Sequence, residues 1–180
     1  GRRYEEFCQA GQDLAACEPI LNRTKVVSEV AVVLDYNSLW ANRIKPIHKE
    51  FTYEGYAQQL VGQLAALGVN VDLIGTDHPL DGYRLVLVPF APILLEDFHR
   101  KCRDYAEKGG HLLAMTMAFS RDEWGSGIFE KSPVGMTDFF GMHVAEMEPV
   151  FDGQTDAPVR IGELTIRSHF WQETLESEGA

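Results

Sequence analysis

Arg84-Leu85-Val86-Leu87-Val88-Pro89, answered by Gly109-Gly110-His111-Leu112-Leu113-Ala114-Met115, is the stretch that decides the fold. The first run is almost uninterruptedly apolar, the pattern of a buried strand, and the second, from His111 to Met115, reads as the next strand. Between them, from about Ile93 to Lys108, Leu94, Phe98, Cys102 and Tyr105 recur on one side. Arg100, Lys101, Arg103, Asp104 and Lys108 fall on the other, which predicts an amphipathic helix ended by Gly109-Gly110.

Towards the amino terminus the same grammar repeats. Glu29-Val30-Ala31-Val32-Val33-Leu34 is apolar and rich in β-branched valine, again a doubly buried strand, and it stops at Asp35-Tyr36-Asn37-Ser38. A long loop is expected through Leu39, Trp40 and Pro46, until helical spacing returns with Tyr56, Leu60, Leu64 and Leu67 between a Thr52 cap and a Gly68 stop. Val69 to Ile74 reads as a less buried strand, and Asp77 to Gly82 as a turn over Leu80. Strands and helices in this order, at lengths that permit right-handed crossovers, predict a doubly wound, mainly parallel sheet with helices on both faces.

Towards the carboxyl terminus, Ser120 to Ser132 reads as a long excursion from the sheet edge, Met136 to Phe140 as a short helix closed by Gly141, and His143 to Met147 as an edge strand. Val159 to Ile161 and Leu164 to Ile166 flank Gly162-Glu163 as a hairpin. The acidic tail from Glu173 to Ala180 carries no structural stop. At the other end, Tyr4, Phe7, Leu14 and Cys17 form a thin helical stripe ending near Pro19. Such a stripe needs another surface to lie on, either the domain behind it or a neighbour, and residues 23–180 are expected to form a single α/β domain.

The chain has 180 residues with a formal charge of -11, so its net field repels nucleic acid and anionic lipid. The one basic cluster, Arg43, Lys45, His48 and Lys49, is broken by Pro46 and lacks the density of a phosphate-tracking surface. Three cysteines with no Cys-x-x-Cys spacing fit a reduced, cytoplasmic protein, and no apolar run reaches the length of a membrane span.

A nucleophile in the tight turn after a strand is the chemistry an α/β domain of this size most readily supports. Cys8, Cys17 and Cys102 all fall inside expected helices, and the turn after the fourth strand holds Thr116-Met117-Ala118, without a Gly-x-Ser-x-Gly pattern. Ser120 has no local histidine to activate it. His48, His78, His99, His111, His143 and His169 make no close ligand pair, so no metal is expected, and no glycine-rich phosphate loop follows the first strand, so neither is a cofactor. Asp35, Asp122 and Glu123 are the acids expected at the carboxyl edge, read as capping or solvated-loop residues ahead of a catalytic pair. Trp40 and Trp124 stand outside any core periodicity, where large rings serve as interface anchors, as sugar-stacking platforms or as lids over the sheet end.

Several passages carry a family resemblance. Gly1-Arg2-Arg3-Tyr4-Glu5-Glu6, Val30 to Trp40, Asp81-Gly82-Tyr83-Arg84-Leu85-Val86 and Tyr105-Ala106-Glu107-Lys108-Gly109-Gly110-His111-Leu112 come first. Phe139-Phe140-Gly141, Met147-Glu148-Pro149 and Phe170-Trp171 through Ala180 follow in the same order. Together they resemble the middle, trimerisation domain of β-galactosidases of glycoside hydrolase family 42. The resemblance implies a class I glutamine amidotransferase-like, flavodoxin-like three-layer fold that has lost its nucleophile. It further implies self-association as a homotrimer, a parent that cleaves terminal β-galactosides with two glutamates on a preceding (β/α)8 barrel, and residues 1–22 as the linker helix from that barrel. Neighbouring subunits of such a trimer wall the active sites, making Asp35, Tyr36, Trp40, Asp122, Glu123 and Trp124 the expected interface or rim residues. Leu34 stands where the family often has His, and Ser120 to Gly125 departs from its usual loop. The competing readings are a stand-alone amidotransferase-like or α/β-hydrolase enzyme, which requires a nucleophile and base at the sheet edge, and a sugar-binding module, which requires exposed rings along a groove.

Overall fold

The computed structural model describes residues 1–93, 95–150, 158–167 and 170–177; Leu94, His169 and the closing Glu178-Gly179-Ala180 lie outside them. Its centre is β1 (Val30–Val33), with all four residues buried. β1 pairs in parallel with β2 (Val71–Ile74) on one side and β3 (Leu85–Val88) on the other, and β3 with β4 (His111–Ala114), giving the order β2-β1-β3-β4. Alternation along the strands divides the core between two helices. Ala31, Val33, Val86 and Val88 join Phe98, Cys102 and Tyr105 of α4 (Glu96–Glu107), while Val30, Val32 and Leu87 join Leu60 and Leu64 of α3 (Tyr53–Ala66). The doubly wound sheet expected from the sequence is therefore present, with β2 less buried than β1, Leu80 packed under its turn, and β4 the more exposed of the two edges.

Thr52 caps α3 through its hydroxyl, which accepts from the Gly55 N–H, and Gly68 leaves the helix at φ 76°. Leu67, expected on the inner face, is instead 78% exposed, because the helical spacing ends at Ala66 and Tyr53 and Ala57 fill that side.

Three expectations are corrected. The loop expected after Asp35 is a helix, α2 (Tyr36–Ile44), so Trp40 is a helix residue. Its buried face consists of Ser38, Leu39 and Asn42, two of them polar, and this hides the apolar periodicity that marks most helices. The first helix, α1 (Arg2–Leu21), runs past Pro19, whose fixed φ suits a helix and removes only one donor near its end. No residue of α1 is buried. The carboxyl-terminal stretch, for which the sequence predicts no element, contains β8 (Trp171–Ser177), which pairs antiparallel with β5 (Met142–Pro149), so β5 belongs to a separate ribbon and not to the edge of the main sheet.

Between these elements lie α5 (Thr137–Phe140), closed by Gly141 at φ 66°, and the hairpin of β6 (Pro158–Ile161) and β7 (Leu164–Arg167), turning at Gly162 with φ 59°. Among the described residues no helix is long and apolar enough to cross a membrane.

Candidate functional site

β2 and β3 lie on opposite sides of β1, so the connections leaving β1 and β3 diverge and open a crevice at the carboxyl ends of the strands. Asp35 builds one wall. Its Oδ1 accepts from the Asn37 N–H at 3.1 Å and its Oδ2 from the Ser38 N–H at 3.0 Å, capping α2, and the Ser38 hydroxyl donates to Oδ2 as well. That hydroxyl oxygen also accepts from the Ile93 N–H at 3.3 Å, tying α2 to the segment after β3. The other wall is the loop from Arg121 to Gly125. Asp122 Oδ1 accepts from the N–H groups of Trp124 and Ser126, and the Arg121 guanidinium donates to the Gly125 carbonyl at 3.0 Å. Both walls are fixed by their own hydrogen bonds.

Between them lies a cleft of about 370 Å³ whose lining includes Asn37, Trp40, Phe90, Arg121, Glu123 and Trp124. Of the six residues singled out from sequence, Trp40, Glu123 and Trp124 line it, while Tyr36 leans on Trp40 with ring centroids 6.1 Å apart. Asp35 and Asp122 stand behind the walls as turn-holding carboxylates. Trp40 is 58% and Trp124 84% exposed, so neither ring folds back to close the sheet. Sequence reasoning missed Asn37 and Arg121. Their signal was adjacency, since Asn37 follows the cap and Arg121 opens the Asp-Glu-Trp-Gly turn.

The turn after β4 bears on the enzyme reading. Met117 has φ 58° and Phe119 φ 54°, left-handed conformations costing about 1–2 kcal/mol each in a non-glycine residue. A strained turn after a strand is how a nucleophile elbow displays its side chain. Here the apex residue is Met117, and its side chain is buried with Leu39, Phe51, Tyr53, Phe90 and Trp171. The Ser120 hydroxyl donates to the Met117 carbonyl at 3.1 Å, a local contact with no base. Cys102 lies in the core, where burial pushes its thiol up to about 12, the opposite of an activated nucleophile. Among the described residues no group of three or more His, Cys, Asp or Glu side chains is placed to hold a metal ion.

An open parallel sheet between helical layers, with a cleft at its switch point, defines a three-layer, flavodoxin-like α/β domain. Within that class, the chain belongs to the β-galactosidase trimerisation domain family, whose model matches residues 28–180. It is 28% identical over 137 residues to the β-galactosidase BgaH of Haloferax lucentense, covering 76% of this chain and 21% of that protein. It is 26% identical over 182 residues to a β-galactosidase of Heyndrickxia coagulans, covering 99% of this chain and 27% of that protein. The solved β-galactosidase of the Antarctic haloarchaeon Halorubrum lacusprofundi superposes with a TM-score of 0.79 at 27% identity, over 87% of this chain and 23% of that one. The enzyme from Bacillus circulans sp. alkalophilus shares the fold at a TM-score of 0.86 and 16% identity, over 99% of this chain and 27% of that one. The chain thus spans about a fifth to a quarter of the curated relatives it matches. Membership of this family supports self-association as the work of the domain.

Proposed function

We propose that this domain is the non-catalytic assembly unit of a cytoplasmic β-galactosidase. Three copies associate, and α1, as a linker helix over residues 1–22, joins the α/β domain of residues 23–180 to a catalytic barrel carrying the two glutamates that hydrolyse terminal β-galactosides. The family match over residues 28–180 carries this reading. Two structural features support it. α1 has no buried residue although Tyr4, Phe7, Leu14 and Ile20 are all apolar, as a helix awaiting a neighbour would be. The cleft presents exposed Trp40 and Trp124 on walls already held rigid, the arrangement of an interface anchor or of an active-site rim offered to a neighbouring subunit.

The cleft's part in assembly is tested by sedimentation of Trp40→Ala and Trp124→Ala chains beside the wild type. Both side chains are exposed, so the variants should fold normally and sediment as smaller species at equal concentration. Unchanged assembly in both would remove the cleft from the contact and leave these residues to the rim.

A further inference from the structure

The elbow after β4 is tied to β8 by a carboxylate. The Met117 N–H donates to Glu173 Oε1 at 2.8 Å, and the Thr116 hydroxyl donates to the same oxygen at 3.0 Å. Thr116 Oγ1 in turn accepts from the Trp171 indole N–H. Trp171 and Glu173 are two apart on β8, hence on one face of the strand, and that face meets the elbow. The Trp171 ring is buried edge-on against Phe51, with centroids 4.9 Å apart, and packs on Phe90, which lines the cleft. A backbone N–H and a hydroxyl converging on one carboxylate oxygen form a charge-assisted anion site.

We propose that the β4 elbow is a carboxylate-binding site whose ligand the chain supplies itself. Glu173 fills the anion site made by the apex residue's own N–H and the Thr116 hydroxyl, and β8 is thereby strapped into the crevice over Met117. The turn is strained at Met117 and Phe119 yet carries no nucleophile, so a binding role accounts for a backbone that catalysis does not need here. The strap also fixes the ribbon of β5 and β8 to the main sheet at the wall formed by Phe90. This inference does not depend on the assembly reading.

The test uses the full chain with Glu173→Ala, which leaves the Met117 N–H and Thr116 hydroxyl without the carboxylate, and free acetate as the probe. Acetate should raise the melting temperature of the variant saturably above an equal ionic strength of chloride, and should not do so for the wild type. Exchange of the Met117 amide should quicken about tenfold in the variant and slow again with acetate. No acetate-specific rescue, or exchange at the wild-type rate, would overturn the proposal. Should Glu173→Ala not fold, Glu173→Gln keeps shape and an acceptor but loses the charge. Faster Met117 exchange in that variant supports a carboxylate site, and unchanged exchange overturns it.

Discussion

Tyr53 and Asp35 meet at the carboxyl end of β1, where the Tyr53 hydroxyl accepts from the Asp35 N–H at 3.0 Å and donates to the Val33 carbonyl at 3.1 Å. One fully buried hydroxyl therefore satisfies both backbone groups left when the strand gives way to α2. Tyr53→Phe removes it without changing shape, leaving a donor and an acceptor unmatched. It should cost about 1–3 kcal/mol, read as a lower urea midpoint at unchanged slope.

Asp35→Ala should destabilise by a similar or larger amount, about 2 kcal/mol, since it removes a buried cap and strands the Ser38 hydroxyl. Asp35→Asn retains an acceptor and should recover part of the loss. Urea denaturation of the pair checks the ranking, and equal losses would show that charge, not capping geometry, matters at this position.

Gly110 explains one of the passages most recognisable in the sequence. The Tyr105 hydroxyl donates towards the Tyr83 carbonyl at 3.1 Å and the His111 carbonyl at 3.4 Å, pinning its ring over Gly110. A Cβ at Gly110 would lie 2.3 Å from Tyr105 Cζ. Gly110→Ala should therefore cost about 1–3 kcal/mol by overpacking, and Tyr105→Phe, which releases only the hydrogen bonds, should cost less. Melting curves of the two variants test this order.

The central strands and the helices α3 and α4 were legible because their apolar residues fall at the spacing each element requires. α2 was not, because Ser38 and Asn42 are buried as polar groups whose partners lie elsewhere in the fold: Ser38 meets Asp35 and Ile93, and the Asn42 Oδ1 accepts from the Ile47 N–H. Asp35 directly before that helix was the signal that could have located it. β8 was hidden for a related reason. Glu173 and Glu176 read as part of an acidic tail until β5 is known to be the partner of β8. Trp40, Glu123 and Trp124 were identifiable as unusual residues, but 82 intervening positions separate Trp40 from Glu123 on the facing wall of the cleft.

Burial shifts the Cys102 thiol from 9.0 up to about 12. The unfolded chain loses this proton near pH 9 and the folded chain keeps it to about pH 12, so stability should fall with rising pH across that window. The limiting slope for one proton is about 1.4 kcal/mol per pH unit. Tyr53 and Tyr56 are also raised by burial, and their share of the loss begins near pH 10. Cys102→Ala should flatten the dependence between pH 9 and 10 in urea titrations. At neutral pH a thiol reagent should modify exposed Cys17 and leave Cys102 unmodified until the domain unfolds.

The central claim is self-association of this domain, and the absolute mass of the chain by light scattering over a range of concentrations tests it most directly. The account predicts a mass that rises to a plateau at three times 20.2 kDa. A mass of 20.2 kDa at every concentration would contradict it.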